Sequence, residues 1–73
     1  MNVDDLKNKI EVLRYNKNYY SLHGEDVFGV NLIRHSPDTW TFYNLDQRGE
    51  WHDVKIFNDE FSACNHMYEV ISR

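Results

Sequence analysis

Four histidines and a single cysteine, Cys64, are the residues of this 73-residue chain best suited to hold a metal. Their spacing does not group them. No paired Cys-x-x-Cys or His-Glu-x-x-His run is present, and Cys64 and His66, two apart on an expected helix, point roughly 200° apart around its axis. Cys64 instead falls on the apolar stripe of that helix, where a free cysteine packs as a small hydrophobe. His52 and Asp53 are adjacent on an expected strand, so they face opposite sides and cannot form an acid/base pair. Ser21 and Ser62 lie in no nucleophile elbow, and the three glycines are scattered rather than forming a phosphate-cradling loop. These patterns give no catalytic residue, metal or cofactor, and the chain is expected not to be an enzyme.

Recognition chemistry is better represented. Eight basic and twelve acidic residues give a formal charge of −4, which opposes contact with phosphate backbones and disfavours a nucleic-acid reader. The same charge speeds encounter with a basic protein. The carboxylates fall in expected connections: Glu25 and Asp26 in the first, Asp38 in the second, Asp46 and Glu50 in the third. Turns favour such residues for solvation alone. Asp46, Glu50 and Asp53, however, bracket Trp51, which would combine an aromatic anchor with negative charge. Tyr43 joins them as a second aromatic on the sheet. The expected partner-binding set is therefore Glu25, Asp26, Tyr43, Asp46, Glu50, Trp51 and Asp53.

The elements that must position these residues follow from periodicity. Val3, Leu6, Ile10 and Leu13 recur at steps of three and four, predicting a helix from Val3 to about Arg14, capped by Asn2 with Asp4 and Asp5 in its first turn. Tyr19–Leu22 suits a short strand, and His23–Asp26 a turn that would close a hairpin. Val27 to about His35 reads as the next strand, with Phe28, Val30 and Leu32 on one face and Val27, Asn31 and Ile33 on the other. Ser36-Pro37-Asp38-Thr39 interrupts it. Trp40–Leu45 and Trp51–Phe57 complete the strands around a turn in which Gly49 takes a positive φ. The fourth strand is expected to bury Val54 and Ile56. Asn58 would cap a last helix whose stripe is Phe61, Cys64, Tyr68 and Ile71, widened by Met67 and Val70.

The order α-β-β-β-β-α predicts a single α+β domain spanning residues 1–73: an antiparallel meander sheet with two helices packed on one face. One core is all that this length supports. The lone cysteine forbids an internal disulfide, and no segment has the length or composition of a membrane span or a secretory leader, so the cytoplasm is the expected location and no membrane partner is expected.

Four landmarks in order, Tyr20-Ser21-Leu22-His23-Gly24, Trp40-Thr41-Phe42-Tyr43, Arg48-Gly49 and the run Phe57-Asn58-Asp59-Glu60-Phe61-Ser62-Ala63-Cys64, resemble a family of very small bacterial proteins that serve as immunity proteins of polymorphic toxin systems. The resemblance implies a cytoplasmic antidote that binds a cognate toxin, often a nuclease, and blocks its active site or an essential surface. Two rival readings stand beside it: a phage- or plasmid-encoded acidic inhibitor of a host nuclease, and a small ligand-binding domain.

Overall fold

The computed structural model describes residues 1–22 and 26–73 of the chain. It orders them as helix α1 (Val3–Val12), strands β1 (Tyr20–Ser21), β2 (Gly29–Ser36), β3 (Thr39–Leu45) and β4 (Trp51–Phe57), and helix α2 (Glu60–Ile71). A single 3₁₀ turn, Lys17–Tyr19, leads into β1. The four strands form one sheet in the order β1-β2-β3-β4. The α+β class and the element order match the expectation from sequence.

Helix α1 starts where its cap dictates. The Asn2 side chain accepts the Asp5 N–H at 2.8 Å, and the Asp5 carboxylate accepts the Asn2 N–H at 3.3 Å, a reciprocal box that satisfies two donors a helix start leaves open. Leu6 and Ile10 are buried, while Leu13 lies past the helix end and is exposed. In α2 the cap is Asp59 rather than the expected Asn58; its carboxylate accepts the Ser62 N–H at 2.7 Å. Starting from Asp59, the buried stripe is Ala63, Cys64, Met67 and Ile71. Phe61 lies roughly 100° from the middle of that stripe at 3.6 residues per turn, so it is 63% exposed instead of packing inward. Glu60 lies on the stripe and its carboxylate accepts the Val3 N–H at 2.8 Å, tying the two helix starts together.

The core joins both helices to one sheet face. Leu6 and Ile10 of α1 and the α2 stripe meet Val30 and Leu32 of β2 and Trp40 and Phe42 of β3 in one cluster. Each large apolar side chain so buried contributes about 1.5–3 kcal/mol. On β2 the expected alternation holds for Val30 and Leu32, which face the helices, and for Asn31, which faces away, whereas Phe28, expected beside Val30 and Leu32, precedes the strand and is exposed.

Three expectations for the sheet are corrected. First, the sheet is mixed: β1 runs parallel to β2, with Tyr20 opposite Val30 and Ser21 opposite Asn31, so β1 and β2 are not a hairpin and the sheet is not an all-antiparallel meander. The expected turn at 23–26 falls mostly on residues outside those described. Second, β2 begins at Gly29 rather than Val27. The side chain of buried Asn31 accepts the Val27 N–H and donates to the Val27 carbonyl, both at 3.0 Å, so Val27 turns back on Asn31 instead of joining a ladder. Gly29 then takes φ +110°, and a Cβ there would lie 2.3 Å from the Tyr19 carbonyl oxygen. Only glycine admits that approach.

The third correction concerns β4. Trp40 pairs with Phe57, Thr41 with Ile56 and Phe42 with Lys55, but beyond a register shift Asn44 pairs with His52 and Leu45 with Trp51. The extra residue is accommodated at Asp53, whose φ of +55° marks a bulge in the strand. Because side chains alternate with period two, one inserted residue moves everything beyond it to the other face. Asp53, Lys55 and Phe57 stay on the helix side, whereas Trp51 joins Val54 and Ile56 on the outer face. Both helices pack on the opposite face, so Val54 and Ile56 are exposed, not buried as expected.

Candidate protein-binding site

The outer face of the sheet carries the aromatic and apolar groups left over after the core is built. Trp51 is 49% exposed and Ile56 68% exposed, with Val54 between them on the same strand. Trp51 is held in place by Tyr43 of β3, with ring centroids 4.0 Å apart and planes 9° from parallel. Such a stack contributes about 0.5–1.5 kcal/mol beyond area burial. Tyr43 itself has no exposed surface. Its hydroxyl donates to the Asp26 carboxylate, which clamps the segment before β2 over this part of the sheet. Burial, followed by the bond to Asp26 and its charge, pushes the Tyr43 phenol well above its ordinary value.

The turn between β3 and β4 is organised by Asp46. One carboxylate oxygen accepts the N–H groups of Arg48 at 2.8 Å and Glu50 at 2.9 Å, and the other lies 2.7 Å from His52 Nε2. Gly49 takes φ +81° within this turn, as expected. The His52 contact is the largest influence lowering the Asp46 carboxyl below its ordinary range, helped by the two backbone bonds. His52 moves the opposite way: the bond to Asp46 raises its pKa, with smaller upward contributions from the charges of Asp46, Glu50 and Asp53. This end of the sheet therefore carries a negative field.

The expected residues separate accordingly. Asp46, Glu50 and Trp51 are brought together at one end of the β3–β4 hairpin. Asp26 is exposed beside Tyr43, but Tyr43 is covered and reaches a partner only by supporting Trp51. Asp53 lies across the sheet from Trp51, in a groove of about 250 Å³ lined also by Lys55, His66 and Arg73. Glu25 falls outside the described residues. Sequence reasoning missed Val54 and Ile56 because it turned these aliphatic side chains toward the core, and it separated Trp51 from their face because it took an unbroken alternation through β4. A residue able to tolerate positive φ within the strand, Asp53, was the available signal.

Hairpin geometry also brings one carboxylate oxygen each from Asp46 and Glu50 and a ring nitrogen of His52 within 4.8 Å of one another. Such donors suit a divalent cation in type. Here the Asp46 carboxylate is already committed to two backbone N–H groups and His52, so the cluster is accounted for as a turn lock. His66 lies on the other face, edge-on to Phe42 at 4.6 Å, and desolvation followed by the Lys55 charge lowers its pKa. Cys64 is free and buried; burial, then the Glu60 charge, pushes its thiol up to about 11.

Comparison of the chain with protein-family models, with curated proteins and with solved structures gives no match. No helix of the described residues is long and apolar enough to cross a membrane.

Proposed function

We propose that this chain is a non-enzymatic immunity protein that binds a cognate bacterial toxin in the cytoplasm and neutralises it by covering an essential surface. The observation that carries the reading is the outer face of β4. Trp51, Val54 and Ile56 form an exposed apolar strip next to the carboxylates of Asp46 and Glu50. A tryptophan fixed by a stacked neighbour loses little freedom when it is covered, which is the property of an interface anchor. The adjacent carboxylates and the net charge of −4 favour a toxin with a basic surface, as a nuclease has. Binding would leave no direct contact with nucleic acid and require no cofactor.

Co-expression with the protein encoded next to this chain tests the reading. Rescue of growth together with a stable co-purified complex is the expected result, and Trp51→Ala should weaken that complex by at least roughly tenfold, as for a buried anchor. Rescue without contact would assign the chain to catalysis or repression. A setting among phage accessory genes, with inhibition of a host nuclease, would move the same surface to a counter-defence role.

A further inference from the structure

Among the described residues, strand β4 closes the sheet on the side away from β1 and pairs with β3 alone. All seven of its residues are exposed except half-buried Phe57. Among the described residues, no backbone hydrogen bond outside the sheet involves Trp51–Phe57. Such an edge offers a row of N–H and C=O groups to any incoming strand. The bulge at Asp53 limits the regular part of that row to Val54–Phe57.

The side chains along this row discriminate among incoming strands. A second copy joining edge to edge about a two-fold axis must place like faces opposite each other. Centred on Lys55, that pairing sets two ammonium groups face to face. Centred on Ile56, it sets Asp53 against Asp59. Centred on Val54, it requires Asp53 to pair regularly with Lys55, which the left-handed backbone of Asp53 prevents. Each copy also carries a net charge of −4. Self-association along β4 is therefore disfavoured in each of these three registers, while a different strand paired along Val54–Phe57 meets none of these obstacles.

We propose, building on the toxin-binding reading, that the partner docks by adding an extended segment to the free edge of β4. The segment suited to this edge has apolar side chains beside Val54 and Ile56 on the outer face. On the helix side it carries a carboxylate facing Lys55, where the groove is lined also by His66 and Arg73, with Asp53 as an opposing charge. Beyond the bulge it continues into basic residues opposite Glu50 and Asp46. Main-chain hydrogen bonds then supply affinity, and the alternating side chains supply selectivity.

Total synthesis of the 73-residue chain allows single amide-to-ester replacements at Lys55, Ile56 and Phe57, each removing one N–H without changing a side chain. An ester at an N–H bonded to β3 lowers the Tm of the free protein. One at a free-edge N–H leaves Tm unchanged and should weaken binding to an inactivated form of the neighbouring toxin about three- to tenfold, the loss of one net hydrogen bond. Lys55→Glu should weaken it as well. Strand addition is overturned if no Tm-neutral ester alters affinity although Trp51→Ala does, because the partner then docks through side chains alone. Stable self-association of the chain through β4 overturns it too. Absence of any complex with the unmodified chain overturns the toxin reading and this inference together.

Discussion

Replacing Tyr43 by phenylalanine removes one oxygen from the most enclosed aromatic of the sheet and tests how the Trp51 platform is built. The phenol is buried, and its hydroxyl donates to the ionised carboxylate of Asp26. Hydrogen bonds to charged groups contribute about 1.5–3 kcal/mol. Asp26 is itself exposed, so water can replace the lost donor and the cost falls at the lower end, about 1.5 kcal/mol. For a domain of this size each kcal/mol moves the midpoint by about 4–8 °C, so Tyr43→Phe should melt about 6–12 °C below the wild type. Asp26→Ala should cost a similar amount, and the double variant little more than either, since both remove one shared interaction.

The same contact fixes a pH signature. Folding raises the Tyr43 pKa above its ordinary 10.0, so the folded chain holds that proton more tightly than the unfolded one. The resulting stabilisation is complete below pH 10 and is lost as pH rises above it. Tyr43→Phe lacks this alkaline loss. Thermal melts between pH 7 and pH 11 should therefore converge for the two proteins at the alkaline end. Tyrosinate absorbance, taken as wild type minus variant, should isolate a group ionising well above the ordinary value. Equal midpoints at neutral pH, or a difference titration centred at the ordinary value, would refute the clamp between Tyr43 and Asp26. Because the hydroxyl has no exposed surface, partner affinity should change much less than it does on removing Trp51.

Three further outcomes follow from neighbouring features. Gly29→Ala should destabilise by more than about 1 kcal/mol in urea melts, because its φ is left-handed and its new Cβ would collide with the Tyr19 carbonyl, while Gly49→Ala, with open space around it, meets only the backbone strain. Asp46→Asn should lower the pKa of His52, followed by NMR titration of the imidazole; in the wild type the Asp46–His52 contribution to turn order should be lost as pH falls through the depressed Asp46 value and as it rises through the raised His52 value, leaving a maximum between them. Cys64 should resist alkylation at pH 8, where a thiol titrating at about 11 is only about one part in a thousand thiolate, and react readily once urea unfolds the chain.

Sequence patterns transmitted those parts of the fold that rest on periodic burial. Leu6 and Ile10, the Val30–Leu32 alternation and the Cys64–Met67–Ile71 stripe each announce one apolar face, and each packs as announced. The Asn2 cap and the Gly49 turn were legible because their chemistry is local. The parallel β1–β2 pairing was not, since strand direction depends on how Gly29 and Asn31 redirect the chain, through a glycine at positive φ and a side chain that substitutes for a ladder partner. Phe61 misled because it lies at one margin of the apolar arc, while Ala63 and Met67, on the other side of Cys64, set the middle of the buried stripe.

The candidate site was legible only in part for a related reason. Trp51, Asp46 and Glu50 are neighbours through a short hairpin, so adjacency in sequence predicted adjacency in space. Val54 and Ile56 required knowledge of which face of β4 the helices cover, and whether Trp51 shares their side depends on the bulge at Asp53. Without the bulge, Trp51 would lie on the helix side in line with Asp53, Lys55 and Phe57, and the outer face would retain two aliphatic side chains and no anchor. With it, a tryptophan stacks on buried Tyr43 beside those aliphatics, and Asp53 turns to the opposite side. Straightening β4 at constant length by Asp53→Val, whose β-branched side chain disfavours the positive φ of the bulge, should therefore preserve the core pairings of Trp40, Thr41 and Phe42, yet move Trp51 off Tyr43. Loss of the tight Tyr43–Trp51 stack, read by near-ultraviolet circular dichroism, is the expected consequence; an unchanged aromatic signal in a folded Asp53→Val variant would show that the bulge does not set the face of Trp51.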